Sequence, residues 1–135
     1  MSDGARSDLH QQVRLLAMVR IGLGVGFVLA PGPLLRVWLG RGAASPAVKL
    51  TARCLGGRDI ALGLGTLLAL RHGAPLRGWL EAGMLADSCD AAATLAAFPS
   101  LPKLGALGAV ASAATAAALG RRLVAGLEGS QPAVG

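Results

Sequence analysis

The sequence predicts an all-α fold, specifically a four-transmembrane-helix bundle with a short interfacial helix after the first span. Three observations predict it. Four apolar stretches approach the ~20 residues that cross a bilayer core. Arginines gather at their ends. The apolar content is carried by Ala, Leu and Gly, while the 135 residues include no Tyr, two Trp and two Phe. A small soluble domain fills its core with aromatics, each of which buries a large area. Gly and Ala instead let helix backbones approach closely, which is how helices associate in lipid.

Residues 1–12 form a polar N-terminal segment, expected to fray or lie on a surface. The membrane domain then covers 13–122, with spans at about 13–30, 48–70, 77–98 and 103–120. Residues 13–30 are apolar except for Arg14 and Arg20, and Pro31-Gly32-Pro33 ends that run. Leu34, Leu35, Val37, Trp38 and Leu39 around Arg36 give the interfacial helix. Trp38 and Trp79 are expected at headgroup level. Residues 40–47 are a loop. The second span ends at Arg71-His72-Gly73-Ala74-Pro75, and the third at Pro99-Ser100-Leu101-Pro102. The fourth is Ala-rich and closed by Gly120-Arg121-Arg122. Residues 123–135 read as a flexible tail.

Competing classes fail on stated grounds. Nothing alternates at period two, which excludes barrel strands. A soluble bundle needs a polar face on every helix, and the 103–120 segment has no charged face. Arg20 interrupts the first apolar run and acids dilute the segment before it, so that run is read as a retained helix and not a cleaved signal. The net charge of +6 has no aromatic-interleaved basic stretch or zinc spacing behind it, so no nucleic-acid partner is expected. Cys54 and Cys89 form no CxxC pair and read as small buried side chains.

With four spans both termini share a side. That side carries Arg6, Arg14, Arg71, Arg77, Arg121 and Arg122, against Arg36, Arg41, Lys49 and Lys103 on the other. Six against four predicts cytoplasmic termini.

Seven ionisable residues fall within the spans: Arg20, Arg53, Arg58, Asp59, Glu81, Asp87 and Asp90. Charges inside a membrane are expensive and face the bundle interior, where they pair. Asp87, Asp90 and Thr94, at i, i+3 and i+7, share one helical face. That face is expected to look at Arg58 and Arg53, with Arg20 completing the cluster. Arg58, level with Asp90, is the expected keystone, and the second and third spans are expected to face each other. Three arginines against four acids leave one acid without a formal partner. In a low-dielectric site such an acid takes a proton rather than stay charged. Glu81, beside Trp79 and near a surface, is expected to be wet.

At Gly57-Arg58-Asp59-Ile60-Ala61-Leu62-Gly63, and at Ala86-Asp87 with Asp90, the chain resembles a family of small bacterial four-helix membrane proteins of unassigned function. These carry a GxRDxxLG motif in the second helix and Asp in the third. The stretch from Ala30 to Gly40 is similar as well. The resemblance covers most of residues 13–98 and implies a multi-pass protein of a bacterial inner membrane. It implies no activity.

The leading expectation is a structural or accessory membrane protein whose charges tie helices together. The alternatives are an oligomeric proton-coupled transporter or channel, and an intramembrane enzyme acting on a lipophilic substrate. No catalytic residue is assigned, because no nucleophile–base pair occurs and His10 and His72 lie outside the spans. No metal and no cofactor is expected. The lipid bilayer is the expected partner, with homo-oligomers as a further one. Access of a cavity to Asp87 and Asp90 separates the readings: a sealed cluster favours a structural role, an open one transport or catalysis.

Overall fold

The computed structural model describes residues 3–40, 43 and 45–129. Regular structure among the described residues is entirely helical. The elements are α1 (Asp3–Leu29), α2 (Pro31–Leu39), α3 (Pro46–Arg71), α4 (Arg77–Ala96) and α5 (Lys103–Glu128), with a 3₁₀ turn at Phe98–Ser100 before α5.

Local chemistry sets the breaks. Pro31 and Pro46 open α2 and α3 within the first helical turn, where a missing N–H leaves no bond unmade. The end of α3 is a Schellman motif. Ala74 N–H donates to Ala69 O at 2.9 Å and Gly73 N–H to Leu70 O at 3.5 Å, with Gly73 at φ +63°. Pro75 follows, and the chain turns into α4.

The four long helices run up, down, up, down as two antiparallel pairs, α1 on α3 and α4 on α5. The α1–α3 seam is a glycine contact. A Cβ on Gly24 would lie 2.6 Å from Gly56 O, and one on Gly63 would lie 2.8 Å from Ala17 O. Gly22 meets nothing, so the seam runs through Gly24 and not through the Gly22-xxx-Gly26 pair that the sequence offers. In the second pair Gly120 gives way to Met84.

One end of the bundle is closed by a cluster of Val13, Ala69, Leu76, Leu80, Leu123 and Val124. The other is capped by α2, whose Leu35 packs with Ala43 and Ala52. Gly105 of α5 sits directly under the α2 backbone. Leu9 lies against Gly126, which puts the start of α1 and the end of α5 at the same end.

Three expectations are corrected here. The second and third apolar segments, α3 and α4, are not each other's main partner. Their backbones approach little, because the glycine seam draws α3 to α1; they meet where Trp79 fills the space left by Gly65 and through the expected Arg58–Asp90 pair. Helix also outruns the apolar segments. α1 begins at Asp3, and α5 continues past Arg122 to Glu128 because Leu123 and Val124 are buried in the end cluster. Residues 130–135 of the tail, and Arg41 of the loop, lie outside the described residues. Finally, among the described residues two helices rather than four are long and apolar enough by composition to cross a membrane, within Gly4–Leu29 and Lys103–Glu128. α3 and α4 fall short because they carry Lys49, Arg53, Arg58 and Asp59, and Glu81, Asp87 and Asp90.

The radial distribution of side chains is inverted relative to a water-soluble bundle. The inward stripe of α1 reads Val13, Ala17, Arg20, Gly24; that of α3 reads Ala52, Gly56, Asp59, Gly63, Thr66; that of α4 reads Leu80, Gly83, Asp87, Asp90, Thr94. Small and charged residues line the inside. Leu15, Leu23, Leu50, Leu68, Leu85 and Leu107 are each more than half exposed.

Candidate functional site

Each inward stripe delivers a charged residue to the same level. Arg20, Asp59 and Asp87 all lie nine or more residues from either end of their helices. At ~1.5 Å per residue that is about 14 Å of helix on each side.

There they form an alternating string of five groups. Arg20 Nη2 donates to Asp87 Oδ2 at 2.5 Å and Arg20 Nη1 to Asp59 Oδ1 at 3.0 Å. Arg58 Nη2 donates to the same Asp59 oxygen at 3.2 Å. Arg58 then grips Asp90 with both Nη atoms, at 3.1 and 2.7 Å. The order is Asp87, Arg20, Asp59, Arg58, Asp90, and it joins α1, α3 and α4. Such forked, charge-assisted bonds are the strong kind and fix geometry as well as energy. Thr94, buried one turn beyond, donates back to Asp90 O at 2.8 Å.

The string is graded in burial. Arg20, Asp87 and Asp59 are 11, 12 and 17% exposed, against 30% for Arg58 and 27% for Asp90. Behind Arg20 and Asp87, toward Thr66 and Met84, the helices close around a void of about 10 Å³, near the space of a single water. In front of Arg58 and Asp90 they part. A groove of about 380 Å³ runs from the string toward α2, between α1 and α5. Leu23, Phe27, Leu34, Val37 and Leu104 line it, Arg58, Asp59, Asp87 and Asp90 are its charged residues, and Gly108 and Ser112 lie on its α5 side. Trp38 reaches this groove as well, tilted at 55° to Phe27 with centroids 6.2 Å apart. It is turned into the bundle rather than outward, and Trp79 packs over Gly65.

The structure thus joins five of the seven charged residues singled out in the sequence. Arg53 stays outside, exposed, with Nε donating to Val28 O at 3.2 Å. Glu81 belongs to a separate group at the end where the termini meet. It accepts from Arg77 Nε at 2.6 Å, and Arg77 also holds Glu128 at 2.6 Å. Both sites are explained by helical phase. Arg53 and Glu81 fall one position off the inward stripes that carry Ala52 and Leu80. The balance is therefore two arginines to three aspartates, and Arg20, not Arg58, is the residue that bridges two helices beyond its own. Sequence reasoning missed the groove, which is built by Leu23, Phe27 and the Ala-rich α5. Its one legible trace was the absence of large side chains at Gly105, Gly108 and Ala109.

The exposed Arg77–Glu81 pair gives a control. Side chains 60 and 47% exposed gain little from pairing. Glu81→Ala is expected to leave the melting temperature of the detergent-solubilised protein within a degree or two, whereas changes within the five-residue string are expected to lower it steeply.

Among the described residues no group of three or more His, Cys, Asp and Glu is placed to hold a metal ion. No family model, no curated protein and no solved structure matches this chain.

Proposed function

We propose that this chain is a four-span integral membrane protein whose ion-pair string locks the helices in register and whose open groove binds a lipophilic small molecule. The observation that carries the membrane part is the inverted polarity. The most apolar windows of the two span-grade helices are only 17 and 11% buried. An apolar surface of that extent wrapped around an ionic core suits lipid as the solvent. α3 and α4 fit the same reading because their charges at Arg58, Asp59, Asp87 and Asp90 turn inward while Leu50, Leu64, Leu68, Leu85 and Leu95 turn out. The resemblance to small bacterial four-helix membrane proteins points the same way, to a bacterial inner membrane, and the six-to-four balance of basic residues favours termini on the cytoplasmic side.

The binding part rests on the groove. A purely structural tie is best sealed, and the Arg20–Asp87 end is. The Arg58–Asp90 end instead opens into an apolar-walled space, which at about 380 Å³ falls in the ~300–1,000 Å³ range of small-molecule sites.

Cys54 and Cys89 test the membrane part where it is most demanding. Contrary to the expectation of buried side chains, both are exposed, because they fall off the inward stripes of α3 and α4, the helices that composition alone does not mark as spans. In intact membranes neither is expected to react with a charged, membrane-impermeant maleimide, and both react once the protein is unfolded in detergent. Prompt labelling in the intact membrane would refute the four-span reading. For the groove, Gly108→Leu is the probe, because a Cβ there meets nothing within 4 Å and the side chain projects from a groove-lining position. Native mass spectrometry is expected to find a lipophile retained by the parent and lost from Gly108→Leu.

A further inference from the structure

The groove's charge pattern specifies what kind of molecule suits it, an inference that rests on the groove being a binding site. The five-residue string holds two arginines and three aspartates, a formal charge of −1. The charged residues that line the groove are one arginine and three aspartates, since Arg20 lies behind them. The hydrogen-bonding atoms divide in the same sense. Among the described residues Asp59 uses only Oδ1 and Asp87 only Oδ2, which leaves Asp59 Oδ2 and Asp87 Oδ1 able to accept. Arg58 Nε and Trp38 Nε1 have no partner among the described residues, but both atoms are buried. The groove therefore offers acceptors and surplus negative charge, with Phe27 and Trp38 among its walls. Aromatic faces attract cations, most strongly where water is excluded.

We propose that the ligand is a lipophilic monocation, such as an alkyl- or arylammonium ion. Its apolar body lies along Leu23, Leu34 and Leu104, and its charge rests against Asp59, Asp87 and Asp90. A monocation brings the string to neutrality, which removes the cost of holding a net charge in a low-dielectric interior. A protonated amine would also donate to Asp59 Oδ2 and Asp87 Oδ1. An anion of the same shape meets three carboxylates and one arginine that is already engaged.

Tetraphenylphosphonium and tetraphenylborate test this, having nearly the same shape and opposite charge. The full chain is purified in a neutral detergent on a Trp79→Phe background, which leaves Trp38, in the groove, as the only tryptophan. Saturable quenching of Trp38 by the phosphonium is expected, with at least tenfold weaker binding of the borate. Asp90→Asn makes the string neutral and is expected to weaken the phosphonium at least tenfold. Gly108→Leu fills the groove and is expected to abolish binding while the helix content is kept. Equal or tighter binding of the borate to the unaltered string would overturn the proposal and leave the groove reading standing. So would a folded Asp90→Asn that binds the phosphonium as well as the parent. If neither ion gives saturable quenching, the groove is not a binding site and both readings fall.

Discussion

Arg20→Leu is expected to destabilise the protein more than any other single change to a charged residue. Arg20 is, with Asp87, at the most buried end of the string and holds Asp59 of α3 and Asp87 of α4 at once. Its loss leaves two carboxylates facing each other near the middle of the bundle with only Arg58 in reach of one of them. Removing one partner of a buried pair costs about 3–5 kcal/mol, because the other charge stays behind uncompensated. Protonation of one aspartate softens this but does not replace the bridge between helix pairs. The two pairs, α1 with α3 and α4 with α5, make few backbone approaches to each other, so the bridge matters more than a pair within one seam. A detergent-melting series is expected to show a large drop for Arg20→Leu and a smaller one for Arg58→Leu, since Arg58 and Asp90 reach the groove. Arg20→Lys should recover only part of the loss. An ammonium carries its donors on one nitrogen and cannot span the two carboxylates as the separate Nη1 and Nη2 of a guanidinium do. If Arg20→Leu melted with the parent, the string would not be what joins the pairs.

Much of this site was legible in the sequence, and the failures have physical reasons. Charges within apolar runs pointed to an inward cluster, and Asp87, Asp90 and Thr94 could be put on one face by spacing alone. The motif Gly57-Arg58-Asp59 drew attention to Arg58, so the more deeply buried Arg20 was undervalued. Its phase, three residues after Ala17 and four before Gly24, was the clue. Arg53 and Glu81 were admitted because depth was judged without rotation. A charge one position off the inward stripe reaches a helix surface however deep it lies in sequence. Arg58 does meet Asp90 as expected, but the close helix pairing was misjudged for a related reason. A short connection between α3 and α4 suggested that they pair, but helices in such a bundle pack where glycines allow backbones to touch. Gly24, Gly56 and Gly63 make α1 and α3 the close pair. The spans themselves were read from four apolar runs, of which only two pass a test of composition. α3 and α4 carry the charges that the site requires, so the residues that make the cluster are the ones that hide its helices from hydropathy.

The glycine seam leads to the second large effect. Gly56 lies where α3 crosses α1, with no room for even a methyl group: a Cβ would sit on Gly24 O and 2.9 Å from Phe27 Cβ. These neighbours are a backbone atom and the root of a side chain, so neither can swing aside. Gly56→Leu must push the two helices apart by roughly the width of the added side chain. Overpacking a well-filled site usually costs about 1–3 kcal/mol, and more where the backbone has to move. Here separation also carries Asp59, three residues along α3, away from Arg20, so the ion-pair string is lost with the seam. Packing loss and uncompensated charge then fall together, and the expected outcome is a chain that no longer melts cooperatively in detergent and is cut rapidly by trypsin at its arginines. Gly22→Leu provides the contrast. It lies half a turn from Gly24 on the same helix, yet a Cβ there meets nothing within 4 Å, so leucine at Gly22 faces outward with Leu15 and Met18. It should be tolerated, and replacing glycine within a helix gains a few tenths of a kcal/mol or more in propensity. If the two variants behaved alike, α1 and α3 would not meet at Gly24 and Gly56. The inward phase assigned to Arg20 and Asp59 would then be wrong with it.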